Sequence, residues 1–457
     1  MQSDDTTVTS GTGPTREEAR ALTGRVLSLS TADAARVGLA AGRRRFVRSA
    51  DNRITSAGEA DDVRLTITSV FGRRVASVTT NLIDDQGIRD AVLRSESLAR
   101  LAPENPEFMP ELGPQTYAEV RGAYATTAHA TPDALADAAA QGIESARRSD
   151  NVAAGFIDLQ SGAEALATSE GLFAYHAGTG VASTLTIRSP DGATSGWAGD
   201  EAADWSRIDT PRVAADAAAK CVAWRQATSL DPGSYDVVLE PTAVGMLMLR
   251  LRTAFDARAA DEGRSFFSDP GGGNRIGQSL FDPRVTISSD PGASGAETAP
   301  YSETGVPRAA LTWVDGGTLA NLAYSRFWAD RQERAPLPAP ANLMMAGGAD
   351  SPENMIASTR RGVLITRFWY VRALNPRTLA YTGLTRDGTF LIENGRISRP
   401  VNNFRFNQSL VEMLRNIELI GPAVRVAASE SSSVGTPMVV PPLKVRGFTL
   451  SSVSDAI

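Results

Sequence analysis

The sequence predicts an α+β fold, because segments with helical spacing and segments with strand alternation are grouped along the chain. Strand patterns dominate the C-terminal half, where glycine-containing turns at 315–316, 386–388 and 393–395 separate consecutive strands. A chain of 457 residues also exceeds the size of one compact core, so we expect several domains.

Four segments are predicted from the order of these patterns. Residues 1–15 are polar and acidic and are expected to be disordered. Residues 16–120 form an N-terminal α+β unit that ends in a proline-rich connection, and residues 121–230 form a second α+β unit. An Asp-Pro-Gly turn then leads into a strand-rich C-terminal domain, residues 231–457.

The elements of the first unit follow from the spacing of its apolar residues. Steps of three and four residues predict helices over 16–30, 31–44 and 86–102. Alternating residues predict strands over 44–56 and 62–81, with a hairpin turn at 71–74.

The second unit opens with a helix over 131–148, for which Thr131 offers a capping oxygen. Strands are predicted over 153–162, 164–178 and 180–199, and a helix over 210–227. The C-terminal domain is predicted to contain a strand at 235–241 followed by a helix at 244–255, then further strands with short helices at 351–362 and 409–421.

Composition and charge exclude several classes of function. The net charge is −6 and the isoelectric point is about 5.3, which argues against binding to nucleic-acid phosphates. There is no apolar run long enough for a membrane span and no apolar N-terminal segment, so we expect neither a membrane anchor nor a secretory signal. Cys221 is the only cysteine, which fits a reducing cytoplasm.

Few residues could carry chemistry. Cys221 and His176 could form a nucleophile and base, although Cys221 lies in the alanine-rich helix AADAAAKCVAW, where a buried structural thiol is favoured. His176 follows Tyr175 on a predicted strand and either faces solvent or lines a pocket. The segment RFWYVR, with Arg367, Trp369 and Tyr370, could bind a peptide or a base, or simply alternate between core and surface.

Two further segments carry weaker signals. The glycine run at 269–278 lacks the Lys-Ser/Thr ending of a phosphate-binding loop, so a flexible loop is favoured. The serines of Ser429–Ser433 lack a nucleophile elbow and a histidine partner, so a mobile loop is favoured there too.

A set of segments shares its order and spacing with one known family. They include TSEGLFAYHAGTG, SGWAGDEA, SYDVVLEPTAVGML, SETGVPR, NPRTLAYTGLTRDGTFLIENGRISRP and TPMVVPPLKVRGFTL. Together they resemble the TldD/PmbA family, over about residues 52–451. The resemblance implies a cytoplasmic heterodimeric metalloprotease that acts on unfolded peptides. Its TldD subunit carries zinc on an HExxxH helix with a third ligand from a C-terminal cysteine, and its TldE (PmbA) subunit has the same fold without the metal.

Carrying the motif over to this sequence leaves no catalytic residue. Leu249 stands at the position of the first His, Arg250 at that of the Glu, and Ala254 at that of the second His, and 426–434 contains no cysteine. Leu and Ala cannot ligate zinc, and arginine cannot act as a general base. We therefore expect no metal in this chain and zinc in a TldD-like partner.

Two hypotheses follow from the resemblance. In the first, the chain is a non-catalytic TldE-like subunit that pairs with a TldD-like chain and helps to enclose an unfolded peptide, with Tyr175, His176, Arg367, Trp369 and Tyr370 as candidate lining residues. Two copies could pair when that partner is absent. In the second, the chain is a stand-alone amide hydrolase or acyl transferase that uses Cys221 or His176. Whether this chain is itself an enzyme stays open at this point.

Overall fold

A computed structural model describes residues 13–428 and 433–454. Residues 1–12 of the predicted disordered N-terminus, and 429–432 of the predicted mobile loop, lie outside the described residues. The last three residues of that N-terminal segment are ordered. Gly13 and Pro14 are buried, and the Thr15 hydroxyl accepts a hydrogen bond from the Glu18 amide to cap the first helix.

The described residues contain the following elements. The helices are α1 (Arg16–Leu29), α2 (Asp85–Leu101), α3 (Ala125–Ala128), α4 (Pro132–Arg147), α5 (Thr210–Ala223), α6 (Pro241–Arg252), α7 (Ala257–Asp261), α8 (Arg326–Arg331), α9 (Pro352–Ala357) and α10 (Leu410–Arg415), with a 3₁₀ turn at Trp205–Arg207. The strands are β1 (Ala34–Ala50), β2 (Arg53–Phe71), β3 (Arg74–Thr80), β4 (Val152–Thr168), β5 (Phe173–Arg188), β6 (Ser195–Ala202), β7 (Gly233–Leu239), β8 (Ile287–Ser289), β9 (Leu311–Asp315), β10 (Thr318–Leu319), β11 (Leu343–Met345), β12 (Arg361–Ile365), β13 (Phe368–Asn375), β14 (Ala380–Thr385), β15 (Thr389–Glu393), β16 (Arg396–Pro400), β17 (Asn403–Ser409), β18 (Ile417–Ile420), β19 (Val424–Val426), β20 (Met438–Val440) and β21 (Leu443–Ser454). The predicted α+β class is confirmed.

The first sheet is antiparallel and has the strand order β3-β2-β1-β4-β5-β6. Its central strand β1 pairs with β2 on one side and with β4 on the other, so strands of the predicted units 16–120 and 121–230 lie in one sheet. Alternate residues of β1, β4 and β5, such as Val37, Ile157 and Val181, pack under the helices α1, α2, α4 and α5. The opposite face of the sheet is left for other contacts.

The prediction of a helix over 31–44 was wrong, because this segment forms most of β1. Its alanines and glycines satisfy three- and four-residue steps, but Val37, Leu39 and Ala41 also alternate with more exposed residues. Because the segment pairs with β2 and β4 along nearly its whole length, it forms a strand and not a helix. The predicted hairpin at 71–74 is confirmed, since β2 ends at Phe71 and β3 begins at Arg74.

The C-terminal part contains two mixed sheets. One has the order β10-β9-β8-β11-β20-β19, and the other has the order β13-β14-β17-β21-β7-β12-β15-β16, with β18 also paired to β21. The helix α6 contacts strands of both sheets, and one large core of buried side chains joins them. Within the described ranges, none of the helices combines the length and the apolar composition needed to span a bilayer.

Candidate functional site

The helix α6 follows directly on strand β7, as the sequence predicts. Pro241 occupies its first turn, and its buried face includes Val244, Leu247 and Leu251. Leu249 and Ala254 are partly buried against the same core. The carbonyl of Arg250 accepts hydrogen bonds from the Thr253 hydroxyl (2.9 Å) and the Tyr381 hydroxyl (3.4 Å). This helix is therefore packed as a core element along most of its length.

The C-terminal strand β19 lies alongside this helix. A Cβ atom on Gly245 would come within 2.7 Å of the Val426 side chain and 3.2 Å of the Ala428 methyl group. Both of these residues are buried. The start of the segment 426–434 therefore lies against α6, and its first three residues, Val426–Ala428, offer only apolar side chains there.

Cys221 lies in the core between α5 and the first sheet. It is 0% exposed, and its thiol is 3.5 Å from the hydroxyl of Thr194. Burial raises the pKa of the thiol, which keeps it protonated. The structure does not place Cys221 with His176 in the lining of the cavity described below.

Tyr175 and Arg367 make local packing contacts. The Tyr175 hydroxyl donates to the carbonyl of Pro14 (2.9 Å) on the helical side of the first sheet. Arg367 is 5% exposed, pairs with Asp387 (3.1 Å) and stacks on Trp197 and Trp369.

Tyr370 lies at the protein surface. It is 54% exposed, has a positive φ of 54° at a bulge of β13, and stacks on Arg372. The five predicted lining residues are therefore not brought together at one site.

A cavity lies between the free face of the first sheet and segments of the C-terminal part. It has a volume of about 690 Å³, within the range of small-ligand and peptide sites. Strands β1, β2, β4 and β5 form one wall, while the segments 297–299 and 434–437, with Arg425, form the other. Of the five predicted lining residues, His176 is the one that lines this cavity.

His176 and Glu164 are neighbours in the cavity wall. They are directly opposed in the register of β4 and β5, so their side chains project from the same face. Desolvation lowers the pKa of His176, which is therefore uncharged at neutral pH. Desolvation raises the pKa of Glu164, and the positive charge of Arg308 opposes this only in part.

Glu297 faces the same cavity from the opposite wall. One of its carboxylate oxygens accepts hydrogen bonds from the Tyr124 hydroxyl (2.7 Å) and the Gly295 amide (3.0 Å). The other oxygen is buried and has no hydrogen-bond partner among the described residues. Sequence reasoning missed both Glu164 and Glu297, because only the sheet register and the C-terminal loop bring them together.

Two family models match this chain. The model described as the PmbA/TldA metallopeptidase C-terminal domain matches residues 232–452, and the model described as PmbA/TldA metallopeptidase domain 1 matches residues 35–99. Together they span more than half of the chain.

The chain belongs to the PmbA/TldD family.

Similar proteins agree with this assignment. A protein named "Metalloprotease" from Methanothermobacter thermautotrophicus is 25% identical over 297 residues, which is 59% of this chain and 62% of that relative. The crystal structure of TldE from Thermococcus kodakarensis has a TM-score of 0.80 at 16% identity and covers 94% of this chain and 99% of that one. A structure from Thermotoga maritima, described as a proposed modulator of a DNA gyrase, also has a TM-score of 0.80, at 17% identity, and covers 94% of this chain and all of that one. At these identities the two structures establish a shared fold.

The side chains present do not fit the zinc site implied for metal-bearing members of the PmbA/TldD family. Leu249 and Ala254 have no ligating atom, and the guanidinium of Arg250 is a donor without acceptor capacity. The neighbouring residues Val426 and Ala428 add no donor atom for a metal. Over residues 13–428 and 433–454, no three side chains of His, Cys, Asp or Glu converge as a metal set.

Proposed function

We propose that this chain is the non-catalytic, TldE-like subunit of a heterodimeric zinc metallopeptidase of the PmbA/TldD family. In this proposal a TldD-like partner supplies the zinc and the general base. This chain contributes a wall of the substrate chamber and holds an unfolded peptide. The pair acts in the cytoplasm in proteolysis or peptide maturation, and two copies of this chain associate when the partner is absent.

One observation carries the proposal. The family resemblance aligns the well-packed helix α6 with the HExxxH helix of catalytic members, and on that alignment Leu249, Arg250 and Ala254 stand at the three motif positions. Zinc hydrolysis needs ligands and a base that can accept a proton from water. On that alignment, none of the three side chains could supply a zinc ligand or a general base.

The alternative of a stand-alone amide hydrolase or acyl transferase has less support. Its candidate nucleophile, Cys221, is 0% exposed, and burial raises the pKa of its thiol. A nucleophilic cysteine needs an accessible thiolate and a base within hydrogen-bond distance. His176 lines the cavity, but the hydrogen-bond partner of the Cys221 thiol is Thr194.

The proposal is tested by co-purification with a chain of the same organism that carries an intact HExxxH motif. We expect a stable complex that hydrolyses a denatured, alkylated protein. Replacing the glutamate of the partner's motif by glutamine should abolish hydrolysis, whereas Cys221→Ala in this chain should leave it unchanged. Hydrolysis that survives loss of the partner's glutamate, or failure of the two chains to associate, would contradict the proposal.

A further inference from the structure

The floor of the cavity is a row of glycines that crosses three neighbouring strands. Gly42 of β1 is paired with Gly162 of β4, which is paired with Gly178 of β5. A Cβ atom on Gly42 would come within 2.4 Å of the Ser161 carbonyl oxygen, so the backbones approach too closely there for any side chain. The row therefore forms a shallow trough across the strands, about 10 Å long at ordinary strand spacing.

One side of this trough carries Glu164 and His176. These residues follow the glycine row by two positions on β4 and precede it by two on β5, so they share its face. Ala40 lies beside Glu164 on β1 and leaves the carboxylate accessible from the trough. Glu164 is an exposed residue of this wall, and the positive charge of Arg308 offsets only part of the effect of desolvation on its carboxyl group.

The cavity's cations are mostly neutralised by other residues. Arg43 pairs with Asp61, Arg44 with Asp158 (2.5 Å), and Arg425 with Glu201 (2.7 Å). At the β2 end, the opposite charges of Asp62 and Arg64 offset each other.

Glu164 and Glu297 are the two remaining carboxylates that line the cavity. They lie on opposite walls. Even with Arg308 counted against Glu164, the described residues around the cavity leave a negative charge, which favours a cationic group.

We propose that this cavity binds an extended peptide segment that carries a primary amine or a guanidinium group. The glycine trough accommodates the peptide backbone, and Glu164 and Glu297 pair with the cation. His176, opposite Glu164 in the register of β4 and β5, lines the cavity beside this cation. The inference rests on the proposed function, since it assigns the class of peptide that the subunit holds. The cation comes from a lysine or arginine side chain or from a free peptide N-terminus.

Binding of short fluorescent peptides to the purified chain, measured by anisotropy, tests this inference. The reference peptide is N-acetylated, consists of serine, threonine and alanine, and contains one central lysine. Replacing that lysine by acetyl-lysine should weaken binding by about 10- to 100-fold, the range expected for loss of a charged hydrogen bond. A second peptide with a free N-terminus and no lysine distinguishes the two sources of the amine.

Two variants and one control make the test specific. Glu164→Gln should weaken binding of the lysine peptide by a similar factor and leave the acetyl-lysine peptide unaffected. Ala40→Lys, at an exposed position beside Glu164, should also weaken binding because it supplies an internal cation. The control variant Glu170→Gln removes an exposed carboxylate just beyond β4 and should leave the binding of the lysine peptide unchanged.

The outcomes separate this inference from the proposed function. Equal binding of the lysine and acetyl-lysine peptides, equal binding by the Glu164→Gln variant, or no binding of any peptide by folded protein would overturn the cationic site. The proposed function depends on association with the zinc-bearing partner, and that result is measured independently.

Discussion

Glu164 on β4 and His176 on β5 are directly opposed in the cavity wall, and desolvation moves their pKa values in opposite directions. In both cases the charged form is the one that is disfavoured. A carboxyl group held in a desolvated cavity costs the protein stability, and such groups are concentrated at functional sites. We therefore expect Glu164 to favour ligand binding while it lowers the stability of the folded chain.

The first prediction is that Glu164→Gln raises the melting temperature at neutral pH. The pKa of Glu164 is higher in the folded chain than in the unfolded chain, so the unfolded state ionises first as the pH rises. The free energy of unfolding therefore falls as the pH rises between the unfolded and the folded pKa of Glu164. The Glu164→Gln variant has no carboxyl group at this position, so its stability does not fall in this way. Thermal unfolding at pH 7 and at about pH 3.5 should show a gain at the higher pH only. A variant that is less stable than the parent at pH 7 would refute this account.

The second prediction is that Glu96→Gln lowers the stability of the folded chain at neutral pH. Burial alone would raise its pKa, but hydrogen bonds from the Thr31 amide, the Thr31 hydroxyl and the Ser30 hydroxyl outweigh that effect, and the pKa is lowered. Glu96 therefore contributes stability above the pKa of the unfolded chain, and this is lost as the pH falls through the lower folded pKa. Glu96→Gln should cost about 1–3 kcal/mol at pH 7 in urea unfolding, and much less in acid. A cost that does not depend on pH would contradict this mechanism.

The third prediction concerns the buried pair of Arg367 and Asp387. Asp387 also accepts a hydrogen bond from the Ser195 hydroxyl (2.7 Å), so it links β6 of the first sheet to the C-terminal part. Removing one member of a buried ion pair leaves an uncompensated charge, so Asp387→Asn should destabilise the chain by about 3–5 kcal/mol. Glu144→Gln, which breaks an exposed pair with Arg148, should cost less than about 1 kcal/mol. Equal costs for the two variants would show that Asp387 does not act through its buried ion pair.

Cys221 should be chemically inert in the folded protein. Since its thiol is 0% exposed and protonated, a thiol reagent can reach it only when the surrounding core opens. Reaction should be slower than in denaturant by a factor on the order of at least 10³. Rapid modification of native protein, accompanied by loss of peptidase activity in the complex, would instead support the alternative of a cysteine-dependent enzyme.

The sequence allowed the fold class and most helices to be predicted, because their local signals agree with the tertiary structure. Thr131 caps α4 as its position before Pro132 indicates, and α6 follows β7 at the expected place. The segment 31–44 was misassigned because alanine and glycine fit both periods, and only pairing with β2 and β4 selects the strand. The domain boundary near residue 120 stays a prediction.

The candidate site was harder to predict. His176 was recognised as a residue that could line a pocket. The assignment of Leu249, Arg250 and Ala254 to the positions of the zinc motif rests on the family resemblance and stays a prediction. Glu164 carries no local signal, since an isolated glutamate in a strand is ordinarily a solvent-facing residue. Its role depends on the register that sets it opposite His176, and on Glu297, which is distant in the chain.

The most direct test of the central claim is the zinc content of the purified chain, alone and in complex with an HExxxH-bearing partner, measured together with peptidase activity. We expect far less than one zinc per chain and no hydrolysis for this protein alone, and one zinc with full activity for the complex. One tightly bound zinc per isolated chain, or hydrolysis without the partner, would contradict the assignment as a non-catalytic subunit.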